Sequence, residues 1–379
     1  MTRSMILANA RLVLCDDIVD GAVAIEDGRI ADILPSRSTG GEDMGGDYLL
    51  PGLVELHTDQ IEGHLHPRSG VVWNAMAAVQ AHDGQVATSG ITTVFDAVRV
   101  GSDENTRADA EAVARLVATI DRAMAEERLR AEHFVHLRCE VSADDVVEGF
   151  DHLKEHPRLK LVSLMDHAPG QRQFHDLDAL RAYLMDKFKM SEADFEAFAS
   201  ARIAQSEKNA GPHRRAIAPQ CRERGITLAS HDDATPAHVE ESIALGTKIS
   251  EFPTTIAAAE ASRAAGMKVL MGAPNVVRGR SHSGNISAID LLRTGLLDIL
   301  SSDYVPFSLI QAVFTLFDSG ELSLPAATRL ASGNPAEAVG LVDRGRIAVG
   351  LRADLIQVAH TPGDPPILRS VWREGRRVA

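Results

Sequence analysis

Leu50-Pro51-Gly52-Leu53-Val54-Glu55-Leu56-His57-Thr58-Asp59 is the stretch on which the reading of this chain turns. Pro51-Gly52 punctuates the backbone, and an apolar strand-like run follows that ends in ionisable residues. Side chains alternate along a strand, so Leu53, Glu55, His57 and Asp59 are expected on one face and Leu56 and Thr58 on the other. A face of Glu, His and Asp is costly to bury without a cation or hydrogen-bond partners. The end of this strand therefore predicts a polar centre rather than packing.

Outward from it, the pattern repeats. Strand-like runs are expected at 53–59, 92–97, 135–140, 159–167, 227–232, 248–253, 268–275 and 297–303. Helical stretches separate most of them. The clearest runs from Ala108 to Leu129, where Val113, Leu116, Val117, Ile120 and Met124 follow the 3.6 period. Eight such units predict an α/β fold, a (β/α)8 barrel of the triose-phosphate-isomerase (TIM) type. That fold places reactive side chains at the C-terminal strand ends. Here those ends carry Arg138-Cys139-Glu140, Asp166-His167, Ser230-His231-Asp232-Asp233, Glu251, Asn275 and Ser301-Ser302-Asp303. Repeated termination in His or carboxylate predicts a metal centre assembled from separate strands.

Both ends of the chain read differently. Residues 5–34 and 343–379 are short strands with turns, Asp27-Gly28 and Glu374-Gly375 being hairpin signals. They predict a small β-sandwich domain, 1–50 plus 343–379, attached to a barrel at 51–342 with a helical insertion at about 168–226.

Composition narrows the class. The chain has 379 residues, and its formal net charge of −14 disfavours a nucleic-acid surface. A small anionic substrate remains compatible, because a local cluster of Arg or metal reverses the field in a cleft. No apolar run is long enough for a membrane span and no secretory leader is readable, so a cytoplasmic protein without a membrane partner is expected. Cys15, Cys139 and Cys221 are odd in number and scattered, which fits reduced thiols. His152, His156 and His213 read as surface residues and His82 as structural. His64 and His66, beyond the first strand, are additional candidates for metal or substrate contact.

The lead-in Leu50 to His57, with Asn334-Pro335-Ala336, Gly345-Arg346-Ile347 and Gly350 to Leu355, resembles the amidohydrolase superfamily. Longer segments resemble its PhnM-type phosphonate-metabolism branch, of the carbon–phosphorus lyase pathway. They are His57-Thr58-Asp59, 87–94, His136-Leu137-Arg138-Cys139-Glu140, 161–174, 228–235, 251–255, 270–285 and 297–304. Residues 60–73 depart from that pattern, although Pro67-Arg68 follows it. The resemblance implies a metal-dependent diphosphatase. It would hydrolyse a ribose 1-(alkyl)phosphonate 5-triphosphate to the 5-phosphate and pyrophosphate, with a small phosphorylated sugar as partner and a homo-oligomeric assembly.

It also implies two divalent ions (Zn, Mn or Fe). His57, Asp59 and Asp303 are assigned to the first, His167 and His231 to the second, Glu140 to the bridge, and Asp303 to proton transfer. Loops after strands seven and eight of such barrels often bind phosphate. Asn275, Arg278, Arg280, Ser281 and His282 are therefore substrate candidates, joined by Arg68 and Arg172. The alternative is hydrolysis of a cyclic amide or deamination of a small ring on the same metals.

Overall fold

Asp27 and Gly28 both adopt left-handed backbone (φ 48° and 81°), as do Glu374 and Gly375 (φ 49° and 66°). Two consecutive left-handed residues make the tight hairpin turn whose twist matches that of its strands. The computed structural model describes residues 4–34, 40–102, 110–172, 181, 191–281 and 285–379.

The N-terminal strands are β1 (Ser4–Val13), β2 (Ile18–Glu26), β3 (Arg29–Leu34), β4 (Glu42–Asp43) and β5 (Tyr48–Pro51). The barrel strands follow: β6 (Leu53–Thr58), β7 (Ile91–Val100), β8 (Glu132–Glu140), β9 (Leu159–Met165), β10 (Thr227–His231), β11 (Ile249–Glu251), β12 (Lys268–Gly272) and β13 (Ile299–Ser301). The chain returns with β14 (Leu355–Ala359), β15 (Ile367–Arg373) and β16 (Arg376–Arg377).

The terminal strands form one mixed sheet in the order β16-β15-β14-β5-β1-β2-β3, with β4 beside β1. The expected sandwich domain is thus one mixed sheet built from both termini. Its two hairpin turns meet at Ala353, whose N–H donates to Gly28 (2.9 Å) and whose carbonyl accepts from Gly375 (2.9 Å). Leu7, Ile25, Leu49, Leu355 and Trp372 fill the core it encloses.

β6 to β13 are parallel and neighbour one another in chain order. Each expected barrel strand is present, though strand seven stops at Gly272 and Asn275 lies in the helix Ala273–Arg278. Pro274 at that helix's start is compatible with its first turn. The seam between β13 and β6 is closed by Asp303 N–H to His57 O (3.0 Å) and Asp59 N–H to Asp303 O (3.2 Å). Inside, Val54, Leu56, Phe95, Phe134 and Leu161 form an apolar floor, sealed by Ala336. On the helix Ala110–Ala125, the buried residues include Val113, Leu116, Val117 and Ile120, the stripe that the period predicts. A 32-residue helix, Glu192–Glu223, lies within the expected insertion.

Candidate metal centre

Along β8, Phe134, His136 and Arg138 share one strand face, so the wall climbs from apolar floor to polar mouth within five residues. The same ascent on β10 and β11 takes Ala229 to His231 and Ile249 to Glu251. Above the floor lies a cavity of about 290 Å³, lined by His57, Asp59, Arg138, His167, His231, Asp232 and Asp303 on the barrel side.

Three imidazoles are fixed in one sense. His57 Nδ1 lies 2.9 Å from Glu251 Oε1, an ion-pair contact rather than a well-aligned hydrogen bond. His231 Nδ1 lies 2.8 Å from Glu251 Oε2, and His167 Nδ1 lies 2.7 Å from Glu140 Oε2. With each Nδ1 held by a carboxylate, each Nε2 faces the ligand groups. His57 Nε2 is 3.3 Å from Asp59 Oδ1; His231 and His167 Nε2 are 3.4 and 3.7 Å from Asp232 Oδ2. A carboxylate behind the imidazole fixes the tautomer and raises ligand basicity, the usual second layer of a metal site. Two ligand groups result, His57 with Asp59 and Asp303, and His167 with His231 and Asp232. The His57 and His231 rings stack at 5.6 Å, so the groups adjoin.

Backbone geometry explains how neighbouring residues reach one cavity. Asp232, Phe252 and Asp303 follow their strands in left-handed conformation (φ 56°, 54° and 54°). Their N–H groups donate to Glu251 O, Leu270 O and His57 O on the next strands. Each turn breaks the alternation while the ladder continues, so His231 and Asp232 can join one group.

The electrostatics fit a cation. Burial alone would lower the His57 pKa, but Glu251 and Asp59 outweigh it and raise it to about 10. His167 behaves alike: burial opposes its charge, and Glu140 with Asp232 lifts it to about 9. Burial, reinforced by Asp59, raises Asp303 to about 7. Burial would also raise Asp59, yet Arg138 and His57 hold it below the usual carboxylate range. A buried carboxylate cage thus holds protons on imidazole where divalent ions would supply the charge, and its N/O donor set suits Zn, Mn or Fe.

Of the expected site residues, His57, Asp59, His167, His231 and Asp303 come together. Glu140 stands behind them. It is fully buried, and its oxygens accept from His167 Nδ1, the His167 N–H, Ser142 Oγ and Arg99 Nη2, so it is placed to orient His167 and, expected as the bridge, does not join either ligand group here. Glu55 also leaves the expected face, because a β6 register irregularity turns it to Ser301, Ser302 N–H and His57 N–H at the seam.

Arg278, Ser281 and Asn275 line the cavity. The Asn275 amide also ties down its own loop, accepting from Ala288 N–H (3.0 Å). Arg280 lines an adjoining cavity of about 710 Å³ that shares Arg278 and Ser281. His282 lies outside the described residues. Arg172 is corrected: it is buried against Asp233 and Glu241, which neutralise it away from the cavity. Arg68 is exposed in a turn closed on Val71. His64 bonds Gln85 (2.9 Å), His66 caps the helix Gln60–Leu65, and neither joins a ligand group.

Asp232, Glu251 and Arg138 stand among the strand ends that the sequence singles out, but no individual role at the site was read for them. Asp232 was hidden by strict alternation. Glu251 was a buried-type acid at a strand end, the signal used for the others. Arg138 sits two residues beyond His136 on the same face.

Comparison with known proteins places the chain. Residues 194–379 match the model of the amidohydrolase family. The chain is 45% identical over 378 residues, 99% of its length and 100% of the relative's, to alpha-D-ribose 1-methylphosphonate 5-triphosphate diphosphatase of Escherichia coli (strain K12). Among solved structures it is similar to N-isopropylammelide isopropylaminohydrolase from Burkholderia multivorans (TM-score 0.66, 18% identity, 100% of this chain and 98% of that one). It is also similar to N-acetyl-D-glucosamine-6-phosphate deacetylase from Mycobacterium smegmatis (TM-score 0.64, 15% identity, 99% of each chain). The solved structures speak for the fold alone. Among the described residues no helix is long and apolar enough to cross a membrane. With its eight-strand barrel, its terminal sheet and a full-length relative at 45% identity, the chain belongs to the amidohydrolase superfamily, in the branch of the ribose 1-methylphosphonate triphosphate diphosphatases.

Proposed function

We propose that this hydrolase cleaves an α-D-ribose 1-(alkyl)phosphonate 5-triphosphate to the 5-phosphate and pyrophosphate, using two divalent ions. The observation that carries the reading is the pair of adjoining ligand groups beside a cavity that Arg278 and Ser281 also line. The relative's activity supports the substrate class.

His57, Asp59 and Asp303 would hold one ion, and His167, His231 and Asp232 the other. Bound ions of this kind supply Lewis acidity towards phosphoryl oxygen and acidify water. The residues do the rest. Glu251 and Glu140 keep the imidazole Nε2 atoms aimed at the cavity. Asp303, raised to about 7, is poised to exchange a proton at neutral pH. Its carboxylate takes the proton of the water that attacks the phosphorus nearest the ribose, then returns it to the departing pyrophosphate. Arg278, Ser281 and, in the adjoining cavity, Arg280 bind the phosphates; guanidinium grips phosphate oxygens in bidentate fashion. Residues 1–50 with 343–379 would form the small domain, 51–342 the barrel, and 168–226 its insertion.

The test is incubation of the metal-loaded enzyme with ribose and nucleoside triphosphates, scored for pyrophosphate against orthophosphate. Pyrophosphate from a ribose 5-triphosphate is expected. Release of orthophosphate alone, or of ammonia from cyclic amides instead, would overturn the reading.

A further inference from the structure

Arg138 is a cation in the wall of the ligand groups. Its side chain is 16% exposed, and it is the guanidinium that lines the cavity from the β8 side. Two of its nitrogens are engaged. Nη1 donates to Asp59 Oδ1 (2.7 Å), and Nε lies 3.3 Å from Met165 Sδ. Nη2 makes no hydrogen bond to any described residue, and it is not among the atoms sealed from solvent.

A guanidinium presents its donors in a rigid planar fork, so fixing Nε and Nη1 also fixes the direction of Nη2. The fork is locked on one edge by a metal-group carboxylate and on Nε by sulfur, leaving a pre-aimed donor. The cavity it borders is shared with His57, Asp59 and Asp303, and its lining also includes Arg278, which follows β12, four strands round the eight-strand barrel from β8. A group seated between these walls meets a cation from each side. Its anionic complement has tetrahedral oxygens on more than one face, as a phosphoryl group does and a planar carboxamide does not.

We infer that Arg138 contacts the phosphoryl group under attack through Nη2 while Nη1 keeps Asp59 in place. The inference rests on the triphosphate reading above. It makes Arg138 a substrate-contacting residue that works as charge accumulates on the equatorial oxygens, and so favours phosphoryl over amide substrates. Loss of one pre-oriented donor to a developing oxyanion typically costs about 10²–10³-fold in kcat.

Two variants separate this from a structural role. Lys at 138 can still pair with Asp59 but has no second edge; Gln at 138 removes the charge. Wild type, Arg138→Lys and Arg138→Gln are saturated with Mn²⁺, their metal content is measured, and pyrophosphate release from a ribose 5-triphosphate is followed. At wild-type metal stoichiometry, Arg138→Lys is expected to lose about 10²-fold in kcat with a smaller change in KM. If Arg138→Lys recovers to within about threefold of wild-type kcat once metal-saturated, Arg138 serves only to position Asp59 and the inference falls. Activity that declines in step with lost metal overturns it equally. Should Arg138→Gln not fold, Arg138→Lys decides alone. If wild type itself releases no pyrophosphate, the triphosphate reading fails first, and takes the inference with it.

Discussion

Asp303 donates its backbone N–H to the His57 carbonyl (3.0 Å), so the bond that helps close the barrel also sets the spacing of two proposed ligands. The chain pairs its first barrel strand with its last through residues whose side chains face the same cavity. The backbone bonds that close the barrel thus also fix the relative position of His57, Asp59 and Asp303.

Asp303→Asn should leave the fold and much of the metal affinity in place while removing turnover. The seam uses backbone atoms, and Asn tolerates the left-handed conformation that residue 303 adopts (φ 54°). What is lost is the titratable oxygen, a contribution of about 10²–10⁴-fold for general acid–base catalysis. Metal analysis and thermal melting should match wild type within a few degrees, with kcat reduced; a wild-type rate would remove Asp303 from the proton path.

Glu251→Gln and Glu140→Gln should differ in scope. Glu251 faces Nδ1 of both His57 and His231, one from each ligand group, whereas Glu140 supports His167 alone. Loss of such a partner typically weakens metal binding about 10–100-fold. Chelator competition should therefore show both ions weakened in Glu251→Gln and one in Glu140→Gln. Identical two-ion profiles would contradict the assignment.

Metal uptake should release protons. Without ions, His57 and His167 are held at about 10 and about 9, so both are protonated at pH 7 and must shed that proton to ligate. Calorimetry in buffers of different ionisation enthalpy should report roughly two to three protons released per protein at pH 7, the half-titrated Asp303 adding to the two imidazoles, and affinity should rise with pH up to about 9 to 10. Uptake without proton release would mean that these imidazoles are not ligands.

A second buried cluster sets a different pH dependence. His133 Nδ1 lies 2.8 Å from Asp96, His133 Nε2 3.3 Å from Asp83, and His82 Nε2 2.8 Å from Asp96, joining the helix Ala75–Thr88 to β7 and β8. Burial would lower the His133 pKa, but Asp96 and Asp83 raise it to about 9. A raised folded-state pKa gives stability that is complete below the unfolded value near 6.5 and is lost as pH climbs through about 9. The stability gap between wild type and His133→Asn should thus shrink by on the order of 2 kcal/mol between pH 6.5 and pH 10, read from urea midpoints. A constant gap would mean that His133 is neutral in the folded protein.

Arg280→Ala should weaken triphosphates more than monophosphates, by about tenfold in KM. Arg280 lines the adjoining cavity, where the proposed function would seat the far phosphates of the chain. Equal effects on both would place the chain elsewhere.

The strand order, and the meeting of His57, Asp59, His167, His231 and Asp303 at one cavity, were legible because apolar runs ending in His or Asp mark a barrel's mouth. The remainder turned on features that period-two alternation does not carry. Asp232 reaches its group because its own φ is +56°, which no pattern of apolar residues announces. Glu140 and Glu251 are both strand-end acids; only the placement of Nδ1 atoms shows that they stand behind imidazoles. Arg172 reads as a free cation in sequence, yet two distant acids, Asp233 and Glu241, close on it when the insertion packs. His64 and His66 form a motif in sequence but sit on a short helix and its cap, where the spacing of a strand no longer applies.

The terminal sheet has a consequence for the order of folding. β5 pairs with β1 on one edge and with β14 on the other (Leu50 opposite Ile356), and the turn at Gly28 closes on Ala353, so the second edge of β5 finds its partner only after the barrel has been synthesised. Until then β5 is an open strand edge, the kind of edge that recruits other chains. The last strands act as a clasp that covers this edge.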